Sequence, residues 1–358
     1  MFEKVYELPL SKGYVKHWGV VEAVRELLQN ALDSDSPLEY NLNQDYLQIT
    51  SRNARLEPKT LLLGTTSKAE ASDKIGQFGE GYKIALLVLT RAGYPVQVLN
   101  NDLMWTPGFI YNRLFEDELL CITETKLPTN KGKGVSFCIN NLTPQDIEAI
   151  RNSCLLMQES IGQVIHTSYG LILKDKPGML YVKGLFVCET EMKFGYDIKP
   201  EHLKLERDRR TVTSFDLAWI TKQMWFETGR NDEIAELMEA DSPDLQYAQY
   251  NTPEIVREAC YQHFIQKNPK AVIAENKADL DKLVSSGMTV YVGGYSSSNS
   301  YLKTVSDSRS YKSEVAVVHK TPEQELAEWY SANRSFMRTP AIVSFKALLT
   351  AAKTWRLK

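Results

Sequence analysis

The chain has 358 residues, 43% hydrophobic and 24% charged, an ordinary globular composition with length enough for two or three domains. A formal net charge of -3 supplies no overall basic field for nucleic acid. Five scattered cysteines (Cys121, Cys138, Cys154, Cys188, Cys260), odd in number and without a Cys-x-x-Cys pair, argue for reduced structural thiols over zinc or disulfides. No stretch reaches the about eighteen apolar residues of a bilayer span, since the run from Ile84 is broken at Thr90 and Arg91, and Met1-Phe2-Glu3-Lys4-Val5 does not read as a signal peptide. The expectation is a cytoplasmic protein with no membrane partner.

In chain order, the first informative element is a helix through Glu26-Leu27-Leu28-Gln29-Asn30-Ala31-Leu32-Asp33. Val24, Leu27, Leu28 and Ala31 give it apolar surface, while Glu26, Asn30 and Asp33, spaced by four and three, share one side. A stripe of two acids and an amide on an otherwise apolar helix suits a polar ligand. Tyr46–Thr50 reads as a strand and Lys59–Leu63 as helix-like. Then Lys74-Ile75-Gly76-Gln77-Phe78-Gly79-Glu80-Gly81 runs straight into the apolar helix Tyr82–Leu89. Three glycines in six positions let backbone approach a bulky anion, and the amides and dipole of a helix start suit phosphate. Strands follow at Pro95–Leu99, Leu119–Thr123 and Val135–Ile139, and Thr143-Pro144-Gln145-Asp146 opens a helix with a capping threonine and a first-turn proline.

The two motifs, in this order, resemble those of the GHKL ATPases: the gyrase B subunit, the ninety-kilodalton heat-shock chaperone, the histidine kinases and mismatch-repair MutL. The resemblance covers about the first 150 residues. It implies a Bergerat-type ATP-binding domain, a mixed, antiparallel-rich sheet with helices on one face and the nucleotide between helices and sheet. It also implies that Glu26 prepares the attacking water as catalytic base and that Asn30 binds Mg²⁺, with Asp33 beside them. Ile75-Gly76-Gln77-Phe78-Gly79-x-Gly81 is closest in wording to the chaperone's box that wraps the triphosphate, so Gly76, Gln77, Phe78, Gly79 and Gly81 become nucleotide-binding residues by the resemblance. Leu63-Gly64-Thr65-Thr66-Ser67-Lys68 is similar to the start of the ATP lid, which adds Thr66, Ser67 and Lys68. Lys83 is read either as a further phosphate contact or as a solvated lysine.

Two family boxes are altered. The Asp-x-Gly-x-Gly box, whose aspartate accepts the adenine amino group, is not matched in Thr50–Pro58, and Asn53 is the substitute contact, an amide that donates and accepts and so relaxes base specificity. The late Gly-Thr box becomes Gly132-Lys133-Gly134-Val135-Ser136-Phe137, with Ser136 standing in for threonine.

A second unit, residues 151–245, carries strand-like Gly178–Val182 and Gly184–Cys188, then the charged cluster Lys204-Leu205-Glu206-Arg207-Asp208-Arg209-Arg210. By resemblance it is a transducer-like βαβ domain in which Arg207 reaches back to the γ-phosphate, with Arg209 and Arg210 behind it. A solvated turn of Asp-Arg pairs is the plain alternative. Asp241–Tyr250 reads as a connection and Thr252-Pro253-Glu254 as a helix cap. Residues 251–358 then alternate helices with strands at Ala271–Ala274, Thr289–Gly293 and Val315–Val318, with a helix at Lys277–Ser285, a serine-rich loop and two last helices, a small α/β unit without a catalytic motif. The fold class expected overall is α/β, an α+β sandwich followed by these two units.

The function implied is hydrolysis of Mg-ATP, with nucleotide state coupled to lid closure or to an ATP-dependent homodimer acting on a macromolecular client, protein or DNA. The alternative is a nucleotide-gated binding module with little turnover. A sensor histidine kinase is disfavoured, because no histidine lies in a phosphoacceptor helix pattern. Taken singly, the polar stripe reads as helix surface and the glycines as a tight connection; their order and spacing together carry the nucleotide reading.

Overall fold

The computed structural model describes residues 3–33, 37–62, 80–128, 134–203, 213–269, 271–274, 289–292, 300–311 and 322–352. The chain divides into two compact units, residues 1–228 and 229–358.

In the first unit, β1 (Lys4–Ser11), β2 (Glu39–Leu42), β3 (Tyr46–Ser51), β4 (Val96–Asn100), β5 (Leu103–Asn112), β6 (Asp117–Lys126) and β7 (Val135–Asn140) form a seven-stranded sheet in the order β1-β6-β5-β4-β7-β3-β2. Every pairing in it is antiparallel, so the sheet expected to be mixed and antiparallel-rich is antiparallel throughout. Side chains alternate along each strand, and one face is apolar: Leu47 and Ile49 of β3, Val96 and Val98 of β4, and Val135, Phe137 and Ile139 of β7 enter one core. Three helices close it, α1 (Val20–Leu32), α2 (Gly81–Arg91) and α3 (Pro144–Asn152); α1 packs on α2, α3 and β3, and α2 on β4 and β5. Val24, Leu27, Leu28 and Ala31 of α1 are buried as their spacing requires. Tyr82–Leu89 of α2 are buried on every side, which makes α2 the central helix. The capping expected for α3 is present: the Asp146 amide donates to Thr143 Oγ1 (3.1 Å) and the Thr143 amide to Asp146 Oδ2 (2.8 Å). The helix-like Lys59–Leu63 shrinks to a 3-10 turn, Pro58–Leu61, because Leu62 is already extended.

Five short strands follow, β8 (Val164–Thr167), β9 (Gly170–Leu173), β10 (Met179–Val182), β11 (Leu185–Glu189) and β12 (Gly195–Ile198), in the order β11-β10-β12-β9-β8. Only β10 and β12 run parallel. The βαβ order expected here is corrected, since tight turns join the strands and the helix α4 (Ser214–Glu227) comes after them. It is tied to the sheet by Trp225, whose Nε1 donates to Tyr196 Oη at 2.9 Å and whose ring lies 5.0 Å from that of Phe194.

The second unit contains α5 (Asn231–Glu239), α6 (Glu254–Lys267), the parallel pair β13 (Val272–Ala274) and β14 (Val290–Val292), α7 (Ser300–Ser306), α8 (Pro322–Asn333) and α9 (Thr339–Ala352). Thr252 does not cap α6: the N-cap is Pro253, and the Thr252 hydroxyl turns back to the Ala248 carbonyl. The strand expected at Val315–Val318 and the helix at Lys277–Ser285 lie outside the described residues. None of the five cysteines forms a disulfide, and four are buried.

Candidate functional site

The acidic stripe and the start of α2 meet. Gly81 is the first residue of α2, and a Cβ added there would fall 2.3 Å from Glu26 Oε2 and 3.5 Å from Asn30 Nδ2. The third glycine of the sequence motif is therefore a steric requirement for bringing the amide end of one helix onto the carboxylate and amide of another. Glu26 is only 1% exposed. Asn30 donates from Nδ2 to the Glu26 carbonyl at 2.9 Å, and its acceptor is Oδ1, a hard oxygen of the kind Mg²⁺ takes. Asp33 is the C-cap of α1 and fully buried, and its Oδ1 lies 3.4 Å from Lys183 Nζ. Among the described residues no cluster of three His, Cys, Asp or Glu side chains gathers to hold a metal. The donors present fit an ion that keeps several waters and takes phosphate oxygens for the rest.

Lys83 is not solvated. It is fully buried, and its ammonium donates to the carbonyls of Thr60 (2.9 Å) and Leu62 (2.5 Å), while Tyr82 Oη also donates to Thr60 O at 2.8 Å. Burial lowers the Lys83 pKa. These bonds tie the residues just before position 63 to the first turn of α2, and they supply the partners that a longer helix after Pro58 would have given those carbonyls.

Two other predicted contacts, Ser136 and Asn53, are among the described residues. Val135, Phe137 and Ile139 face the helices, Phe137 with its ring 6.2 Å from Tyr82, so Ser136 belongs to the opposite face of the sheet. There its hydroxyl meets that of Thr50 across the strands at 2.8 Å. Asn53 is exposed in a turn with φ +61°, the left-handed region in which asparagine commonly replaces glycine. Thr66, Ser67, Lys68, Gly76, Gln77, Phe78, Gly79 and Arg207 lie outside the described residues.

Sequence reasoning missed two features. Arg25, Gln29 and Asp33, four apart and all buried, form a second polar row on α1, and Arg25 Nη1 donates to the Phe186 carbonyl of β11 at 3.2 Å. Lys183 comes from the turn between β10 and β11, and nothing in the sequence there signals its partner.

No family model matches the chain. A protein of Mycoplasma pneumoniae, described only as uncharacterized, is 26% identical over 219 residues, 56% of this chain and 89% of that protein. Among the described residues no helix is long and apolar enough to cross a membrane.

Proposed function

We propose that residues 1–228 bind Mg-ATP in the manner of the GHKL ATPases, with a Bergerat-type nucleotide domain built on the antiparallel sheet, and hydrolyse it. The observation that carries the reading is the approach of Gly81 to Glu26 and Asn30. Two motifs far apart in sequence converge on one point, and the point combines a carboxylate, a side-chain amide and a helix start. Glu26 accepts a proton from the attacking water. Its near-complete burial keeps that exchange out of bulk solvent. Asn30 holds the magnesium ion through Oδ1, and the ion supplies charge neutralisation for the phosphates. Glycines 76 and 79, with Gln77, Phe78, Thr66, Ser67 and Lys68, surround the phosphates in this reading, and Arg207 senses the terminal one. The wider role is coupling of nucleotide state to closure or homodimerisation on a protein or DNA client.

A second reading, a nucleotide-gated module with little turnover, is favoured by one observation. If left-handed Asn53 stands where the box's first glycine stands, the aspartate position falls two residues earlier, on Ser51, at the end of β3. Ser51 alternates with Ile49 and so faces the helices, but a serine is a weaker partner for an adenine amino group than a carboxylate.

Phosphate release by wild type and Glu26→Ala, with calorimetric titration of ATP, ADP and GTP, tests both. The hydrolase reading expects turnover to fall by ~10²- to 10⁴-fold in Glu26→Ala with ATP affinity retained. Asn30→Ala is expected to lose the magnesium dependence of binding. Tight binding with equal, negligible turnover in wild type and Glu26→Ala selects the module; absence of ATP binding at millimolar magnesium rejects both.

A further inference from the structure

The hairpin formed by β10 and β11 reaches α1 from the second sheet. Lys183 (φ +52°) and Gly184 (φ +79°) form its two-residue turn, both left-handed as a type I′ turn demands. The turn is held on several sides: the Gly184 amide donates to Asp197 Oδ1 (2.7 Å), the Lys183 amide to the Ile198 carbonyl (3.2 Å), and the Leu155 amide to the Gly184 carbonyl (2.8 Å). Further along β11, the Phe186 amide donates to the Ser153 carbonyl at 2.9 Å, and the Phe186 carbonyl receives Arg25. A backbone pinned this way fixes where the Lys183 side chain starts, and its ammonium ends 3.4 Å from Asp33 Oδ1.

Asp33 sits at the carbonyl end of α1, where the helix dipole disfavours negative charge, and it is fully buried. It is also one turn beyond Asn30, on the side of the helix proposed to face a polyphosphate. An acidic helix can present that side to an anion only if its own charge is offset nearby. Resting on the nucleotide reading of the preceding subsection, we infer that Lys183 is a positioning residue of that site: it offsets and orients Asp33, so that the second sheet contributes to triphosphate affinity through an ion pair made before nucleotide arrives.

The test is calorimetric titration of the full chain with Mg-ATP and with AMP, for wild type, Lys183→Met, Lys183→Arg, Asp33→Asn and the double variant Lys183→Met/Asp33→Asn, each first checked for folding by circular dichroism. Lys183→Met is expected to weaken ATP by about tenfold or more and AMP by far less, because the repulsion grows with phosphate charge. Lys183→Arg should keep ATP affinity within about threefold of wild type, and Asp33→Asn added to Lys183→Met should recover most of the loss. ATP affinity unchanged in Lys183→Met, an equal loss for ATP and AMP, or a double variant no tighter than Lys183→Met would each overturn the inference while leaving the nucleotide site standing. Wild type that binds no ATP would overturn both.

Discussion

Gly81 and Glu26 occupy mutually exclusive space: the carboxylate oxygen Oε2 stands where a side chain at position 81 would begin, 2.3 Å from its Cβ. The obstacle is the end of a side chain rather than backbone, so Gly81→Ala does not have to unfold the protein. The methyl pushes the carboxylate aside, and alanine raises helix propensity by up to ~1 kcal/mol. Stability and activity should therefore separate. Thermal unfolding of Gly81→Ala is expected within a few degrees of wild type, while ATP turnover falls at least ~10²-fold. A variant with wild-type turnover would show that Glu26 need not occupy its observed position.

Lys83 supports a different prediction, because its ammonium satisfies the Thr60 and Leu62 carbonyls from inside the core. Lys83→Met fits the volume but removes the ammonium from both acceptors; Thr60 O keeps Tyr82 Oη, and losing the charge-assisted bonds of a buried lysine costs ~1–3 kcal/mol. Urea titration should show destabilisation in that range. If the variant were as stable as wild type while losing phosphate affinity, the lysine would be a ligand contact after all.

The acidic stripe was legible because helical spacing is local: positions 26, 30 and 33 need only each other to be recognised. Strands β3, β4 and β7 were legible from the alternation of Leu47 with Ile49, Val96 with Val98, and Val135 with Phe137. β5 was not, since Pro107 and Gly108 interrupt it; Pro107 is tolerated because the pairing of β5 with β4 stops at Trp105, leaving only β6 alongside. The alternation on β7 also fixed the face of Ser136, a consequence that matching its hydroxyl to the family threonine overlooked. The Asp33 and Lys183 pair lies beyond local reading altogether, with 150 positions between its members and no periodicity to link them.

Asp197 gives the second sheet a pH signature. Burial pushes its carboxyl from an ordinary 3.8 up to about 6, even though the Gly184 amide donates to it and favours the ionised form. Between about pH 4 and 6 the folded protein holds a proton that the unfolded chain has released. Stability should therefore fall as pH rises through that window and level off above it. Asp197→Asn keeps an oxygen acceptor for the Gly184 amide and removes the titration. Urea midpoints measured from pH 4 to 7 are expected to slope downward for wild type and to lie flatter for the variant; parallel curves would assign the slope to other groups.

Conformation and exposure separate Ser51, the last residue of β3, from Asn53 in the turn that follows. Asn53 has the backbone of a glycine and an exposed side chain, whereas Ser51 faces the helices. If Asn53 is present for its conformation, Asn53→Gly leaves the ratio of ATP to GTP affinity within about twofold and stability nearly unchanged, because glycine adopts positive φ without strain. Asn53→Val should instead cost ~1–2 kcal/mol, since a β-branched residue resists that conformation. Ser51→Asp places a carboxylate where the altered box lacks one, able to accept from the adenine amino group but not from the guanine carbonyl at the same ring position. It should shift preference toward ATP by about tenfold, the effect of roughly one charge-assisted hydrogen bond. A preference that moves with Asn53→Gly and ignores Ser51→Asp would return the base contact to Asn53 and detach the backbone conformation from its likeness to the family's glycine.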